Sequence, residues 1–296
     1  MFQIAGPTMG TPEYTVTEAI RLFSRIGADG AEIVVQDGYR SGLPCDCDKQ
    51  TLQTVRDCAE ENGIRIVCLT PYNSYFNSLD EALRRREIAE IEKVIDYCAF
   101  LGADRIRIYG GNFAGGETDE TGEKWARLVA SMRELGEKAH ARGVTLVVEN
   151  HFNTMTLTAR QSADLIREVD SPGVRILYDQ ANLTFTGGEA YQEAVALQSG
   201  LIGHMHVKDL VFHEGNIAFT ASDVSHPDES ERNVYTRIVG EGILPWPEIL
   251  KAVKSSGYTD WLSLEYERRW HPDDIPDASI GMKQSVAYLR KILEEV

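Results

Sequence analysis

Basic residues are in short supply in this chain: 30 Lys and Arg stand against 46 Asp and Glu, a formal net charge of −16. Such a balance argues against gripping a phosphate backbone by counterion release, so no nucleic-acid partner is expected. Cysteine is sparse as well. Cys45, Cys47, Cys58, Cys68 and Cys98 are an odd number without a C-x-x-C pair, which predicts reduced thiols in a cytoplasmic protein. Cys45-Asp46-Cys47 brings only two soft ligands together, too few for a thiolate metal site of its own. No apolar run is long enough to span a bilayer. The opening Met1-Phe2-Gln3-Ile4-Ala5-Gly6 lacks the basic region and apolar core of a signal peptide, so neither membrane nor leader is expected.

What is present is a large apolar fraction, 43% of 296 residues, punctuated by glycine. Helix-like stretches end near Gly27, Gly63, Gly102, Gly143, Gly173, Gly200 and Gly257, as left-handed C-caps do. A strand-like run follows each: Ala31–Val35, Ile64–Leu69, Arg105–Tyr109, Thr145–Val148, Val174–Tyr178, Ile202–Val207 and Trp261–Leu264. Phe2–Ala5 makes eight. The intervening helices are expected over Thr15–Ile26, Asp48–Asn62, Ser78–Leu101, Asp119–Arg142, Thr158–Val169, Gly188–Ser199, Pro247–Ser256 and Ala278–Glu295. In the third of these, Ile88, Ile91, Ile95 and Cys98 recur at helical spacing, and Ser78 with Glu81 matches a capping box. Eight alternating strands and helices predict an α/β fold, the (β/α)8 TIM barrel. An open doubly wound sheet is the alternative, but no glycine-rich phosphate turn follows the first strand. No low-complexity linker divides the chain, so residues 1–296 are expected to form a single domain. A long loop, 209–245, follows strand seven and carries His213, His226, Arg232 and Arg237; it is expected to serve as a lid or as an oligomer contact.

Four consecutive strands end in side chains that bind metals: Glu149 in Leu-Val-Val-Glu-Asn-His, Asp179 in Ile-Leu-Tyr-Asp, His206 in His-Met-His-Val and Glu265 in Leu-Ser-Leu-Glu. Barrel active sites form at the C-terminal mouth, where such ends converge. Strand alternation pairs each with the residue two before it (Val147, Leu177, His204 and Ser263), so all four faces can point inward with the polar member uppermost. Three carboxylates and an imidazole suit Mn²⁺, Mg²⁺ or Co²⁺ better than a thiolate-seeking ion. Taken alone, the residues also allow separate ion pairs. His204 is expected to pack beneath His206 rather than bind. Lys208 either pairs with Asp209 or reaches a substrate oxygen. Tyr109-Gly110-Gly111-Asn112 reads as a tight turn that lets backbone approach a ligand, and Tyr72, Phe76, Trp246 and Trp270 as candidate apolar walls.

With those motifs in view, the chain resembles the xylose isomerase-like barrel superfamily. Val-Val-Glu-Asn-His, Tyr-Asp-Gln-Ala-Asn, Gly-His-Met-His-Val-Lys-Asp and Leu-Ser-Leu-Glu-Tyr-Glu carry the likeness, with Val239-Gly240-Glu241-Gly242 before the last unit. It is closest to the sugar isomerase/epimerase group that includes ketose 3-epimerases, hydroxypyruvate isomerase and inosose dehydratase. The resemblance implies one divalent ion, Mn²⁺ first, on Glu149, Asp179, His206 and Glu265. It implies proton exchange by Glu149 and Glu265. Asn182, Lys208, Arg237, Tyr109 and Tyr72 are the residues expected to meet the substrate. Two departures separate the chain from ketohexose epimerases: Asn182 replaces a histidine and Met155 a glutamate. His151 follows Asn150 as in sugar lyases and dehydratases, and is a candidate base.

The expected activity is a metal-dependent sugar isomerase or epimerase working by proton transfer beside a metal-bound carbonyl. The alternative is a lyase or dehydratase acting on a keto-sugar, keto-inositol or oxidised C-glycoside. Its partner is a small sugar or sugar-derived ketone, not phosphorylated. A homo-oligomer is expected, or a hetero-oligomer in the case of a C-glycoside lyase. Abasic-site nucleases share the barrel but need several metals, many histidines and a basic surface; seven histidines and the acidic balance oppose that reading. A non-catalytic carbohydrate-binding barrel is opposed by the presence of all four ligand types.

Overall fold

The computed structural model describes residues 1–213 and 233–296. Eight parallel strands close into a barrel: β1 (Gln3–Pro7), β2 (Gly30–Val35), β4 (Arg65–Pro71), β5 (Arg105–Tyr109), β6 (Thr145–Glu149), β7 (Val174–Asp179), β8 (Ile202–Val207) and β11 (Trp261–Leu264). β1 pairs with both β2 and β11, which leaves the barrel no open seam. A two-residue strand, β3 (Gly42–Leu43), extends the β2 end outside it. The helices are α1 (Val16–Ile26), α2 (Lys49–Glu61), α3 (Glu81–Leu101), α4 (Glu123–His140), α5 (Ala159–Val169), α6 (Gln180–Gly187), α7 (Tyr191–Leu197), α8 (Trp246–Ser255) and α9 (Ala278–Leu293). The expected TIM barrel is the fold observed.

Inside the barrel, Ala5, Val67, Cys68, Val147, Leu177 and Trp261 form an apolar plug. Val147 and Leu177 precede Glu149 and Asp179 by two residues, so strand alternation lifts those carboxylates above the plug. The larger core lies between strands and helices and includes Phe23, Ile88, Ile91, Leu146, Ile176 and Leu250.

Several local expectations are corrected. The cap of α3 is Asp80, which accepts from the backbone N–H of Ala82 and Leu83; Ser78 instead accepts from the N–H of Asp80. The left-handed residue after α5 is Asp170, not Gly173. Gly173 is required for another reason, because a Cβ there would strike the Gly136 carbonyl. The expected helix over 188–199 is preceded by a further helix, α6, which begins directly after β7. Asp179 ends the strand and also caps this helix, accepting from the Asn182 N–H at 2.9 Å.

The described parts of the 209–245 connection include two strands. β9 (Asp209–Phe212) and β10 (Val234–Arg237) pair antiparallel. The Asp209 carboxylate accepts from the backbone N–H of Leu210, Gly240 and Leu244 at 3.0, 2.9 and 3.2 Å. That closes the turn leading to α8 and leaves Asp209 out of any pair with Lys208. His226 and Arg232 lie outside the described residues.

Candidate active site

Glu149, Asp179, His206 and Glu265 meet at the C-terminal mouth, each offering an atom within 4.8 Å of the others. They lie at or next to the C-terminal ends of β6, β7, β8 and β11, neighbours in the sheet. All four are buried. His206 Nδ1 lies 3.4 Å from Glu149 Oε1 and 3.5 Å from Glu265 Oε2, and makes no hydrogen bond. Asp179 Oδ2 is buried without an aligned donor, 3.2 Å from Lys208 Nζ. Lone pairs from three carboxylates and one imidazole therefore converge on one point, a donor set that fits a divalent cation of the Mn²⁺ or Mg²⁺ type.

Two cations already compensate the carboxylates. Lys208 Nζ donates to Glu265 Oε2 at 2.7 Å and to Glu267 Oε1 at 3.2 Å. Arg107, which the sequence reading did not single out, donates through Nε to Glu149 Oε2 at 2.6 Å and pairs with it through Nη2 as well. Its guanidinium lies 3.7 Å from the centre of the Tyr109 ring. Burial pushes the Glu149 carboxyl up, but the Arg107 guanidinium beside it outweighs that and holds the group down at about 2. Burial, with Glu265 and Glu149 adding to it, raises Asp179 to about 7 against the pull of Lys208. Burial carries His151 down to about 4, so that ring is neutral at ordinary pH.

A cavity opens above this cluster, walled by Tyr72, Tyr109, Phe152, Phe185 and Trp270, with Glu32, Arg107, His151, Lys208, Glu265 and Glu267 supplying polar groups. Tyr72 Oη and Arg107 Nη1 are buried without a hydrogen-bond partner, two donors suited to the oxygens of a polyhydroxylated ligand. The His151 Nδ1 sits 2.9 Å from the Phe152 carbonyl. A carbonyl only accepts, so Nδ1 carries the hydrogen and Nε2 keeps its lone pair.

Not every predicted residue reaches the cavity. Glu149 lies behind Arg107, with Oε1 also 3.2 Å from Asn182 Nδ2. Asn182 is buried beneath, donating to Glu149 and to the Asn150 carbonyl instead of facing a substrate. Arg237 is turned away because β10 alternates: Val234 and Thr236 line the cavity, whereas the Arg237 guanidinium donates to the Thr236 carbonyl at 2.9 Å. Phe76 and Trp246 are fully buried in the core and are not pocket walls. The Gly110-Gly111 turn admits protein, not ligand, since a Cβ on either would strike Thr156 or Asn77. Thr156 in turn donates to the Glu149 carbonyl at 2.8 Å, which ties that turn to the site. His204 packs below His206, 2.9 Å from Ser263 Oγ and 3.1 Å from Glu32 Oε2. Glu32 went unremarked in the sequence, although a carboxylate inside the run Gly-Ala-Glu-Ile-Val-Val carries the same signal as Glu149.

The description of the xylose isomerase-like TIM barrel matches residues 20–292. The chain belongs to that family. Among its relatives, inosose dehydratase of Geobacillus thermodenitrificans is 27% identical over 148 residues, 50% of this chain and 49% of that protein. The rhizopine catabolism protein MocC of Rhizobium meliloti is 28% identical over 149 residues, 50% of this chain and 44% of that one. The chain thus spans about half the length of these relatives. Two solved structures superpose over nearly the whole barrel. D-psicose 3-epimerase has a TM-score of 0.75 at 19% identity, covering 98% of this chain and 99% of that one. L-ribulose 3-epimerase has a TM-score of 0.76 at 19% identity, covering 100% and 95%. At such identity the likeness is one of fold. No helix among the described residues is long and apolar enough to cross a membrane.

Proposed function

We propose that this protein is a divalent-metal-dependent enzyme that moves a proton on the carbon beside a carbonyl of a small sugar or sugar-derived ketone, as an isomerase or epimerase. The observation that carries the reading is the convergence of Glu149, Asp179, His206 and Glu265 on one point, with Glu265 lining a cavity that has aromatic walls. Mn²⁺ is the preferred ion, with Mg²⁺ or Co²⁺ as alternatives. When bound there, the ion supplies positive charge that polarises a carbonyl and stabilises the enediolate left by proton removal.

The chain's own groups divide the remaining work. Glu265, which lines the cavity, accepts and returns the proton in this reading, with Lys208 Nζ beside it balancing its charge. Glu149, with one oxygen held by Arg107, serves chiefly to hold the ion, and its own proton exchange requires that Arg107 give way. Arg107 Nη1 and Tyr72 Oη grip substrate oxygens. The aromatic walls and the hairpin residues Val234 and Thr236 exclude water from the carbanion.

A lyase is the second reading, favoured by His151. Its ring lines the cavity with an unprotonated Nε2, which gives a second base at a different position from Glu265. The similarity to proteins named inosose dehydratase favours loss of water beyond the carbanion in particular. Both readings fit a cytoplasmic protein with a non-phosphorylated substrate, acting as a homo-oligomer or, for a C-glycoside lyase, with a second kind of subunit. The experiment is incubation of Mn²⁺-loaded protein with ketoses, aldoses and keto-inositols in deuterated water. Deuterium in a recovered sugar isomer supports the first reading, and release of water or an aglycone the second. No label and no product from any carbonyl substrate overturns both.

A further inference from the structure

Glu32 is a buried carboxylate that none of the steps above employs. It stands mid-way along β2, 2% exposed. Thr70 Oγ1 donates to its Oε1 at 2.7 Å, and His204 Nε2 to its Oε2 at 3.1 Å. His206 Nε2 lies 3.2 Å from one oxygen and 3.3 Å from the other. An ionised carboxylate only accepts, so both imidazoles carry their hydrogen on Nε2. For His206 the consequence is specific. Its Nδ1 is the nitrogen turned toward Glu149 and Glu265, 3.4 and 3.5 Å from their oxygens, and so the one available to a cation there. A bare lone pair against two carboxylates is unfavourable, so that nitrogen holds either a proton or a metal ion.

We propose that Glu32 is a positioning residue. It fixes the His206 tautomer and ring orientation that complete the donor set with Glu149, Asp179 and Glu265, and it braces the ring through Thr70, His204 and Ser263. The inference rests on the metal reading given above, and it adds a requirement that the four donors alone do not contain. A ligating imidazole whose second nitrogen is held by a carboxylate is oriented in advance and made more basic; loss of such a partner typically weakens metal affinity about 10–100-fold.

The test is Glu32→Gln. Glutamine keeps size and shape but has one accepting oxygen for two imidazole N–H groups, so it serves one histidine and turns a donor toward the other. Mn²⁺ titrated calorimetrically into chelator-treated protein is expected to bind wild type at one ion per chain and Glu32→Gln about 10–100-fold more weakly. The visible bands of the Co²⁺-loaded variant are expected to shift, with thermal stability in chelator nearly unchanged. Glu32→Asp, which keeps both accepting oxygens, should recover part of the affinity. Binding of Mn²⁺ by a folded Glu32→Gln within twofold of wild type overturns the inference. So does a wild type that binds two ions, one of them lost in the variant, because Glu32, His204 and His206 would then be ligands themselves. Where Glu32→Gln does not fold, Thr70→Val loosens Glu32 alone; it is expected to weaken Mn²⁺ binding several-fold, and unchanged affinity is again contrary. A wild type that takes up no divalent ion defeats the metal reading itself, whereas equal binding by wild type and variant defeats only the role given to Glu32.

Discussion

Lys208→Met isolates how the site balances its charge. The Lys208 ammonium is 5% exposed and lies 2.7 Å from Glu265, 3.2 Å from Asp179 and 3.2 Å from Glu267. Methionine fills similar space but removes the charge, leaving carboxylates buried against one another. Removing one partner of a buried ion pair typically costs about 3–5 kcal/mol. Unfolding entropy runs near 2.1 cal/mol/K per residue, so a chain of this length has about 0.6 kcal/mol/K, and the expected fall in Tm is about 5–8 °C. That fall should be seen by scanning calorimetry in EDTA. A divalent ion supplies the missing charge at the same carboxylates, and saturation about a thousandfold above Kd adds about 4 kcal/mol. With no ammonium to compete against, the variant should gain more Tm from Mn²⁺ than wild type gains. A Tm in EDTA within about 1 °C of wild type would mean that Lys208 does not carry this balance. An equal deficit with and without Mn²⁺ would show that the ion binds somewhere else.

Other outcomes follow from the same geometry. Glu265→Gln should lower turnover by about 10²–10⁴-fold while circular dichroism stays native, since the amide retains shape and loses basicity. Gly110→Ala should displace Thr156 and with it the Glu149 carbonyl, reducing Mn²⁺ affinity in titration with little loss of helix content. Asp209→Ala strands the N–H groups of Gly240 and Leu244, at about 1–3 kcal/mol each, and should lower Tm by several degrees while Mn²⁺ affinity holds.

The strands were legible because glycine marks the helix ends and apolar runs mark the barrel staves. The four candidate ligands were legible because each stands where a buried strand meets the mouth. The helix after Asp179 was missed because one side chain both ends a strand and caps the next element, and no glycine or proline announces that change. Arg107 and Glu32 were missed for a different reason. A charge in the middle of an otherwise apolar stave points inward as one at its end does, but it has no position at the mouth to mark it as part of a site. Asn182 was a candidate because it stands where ketose epimerases have a histidine, and Arg237 because it lies on the long connection. The substrate role expected of each depended on a backbone detail, a cap at one and β-alternation at the other, that motif spacing does not carry.

Anomalous diffraction from crystals soaked with Mn²⁺ tests the central claim most directly. A single peak per chain is expected, within bonding distance of Glu149, Asp179, Glu265 and the Nδ1 of His206. A peak bound by other residues, or no peak at saturating Mn²⁺, would contradict it.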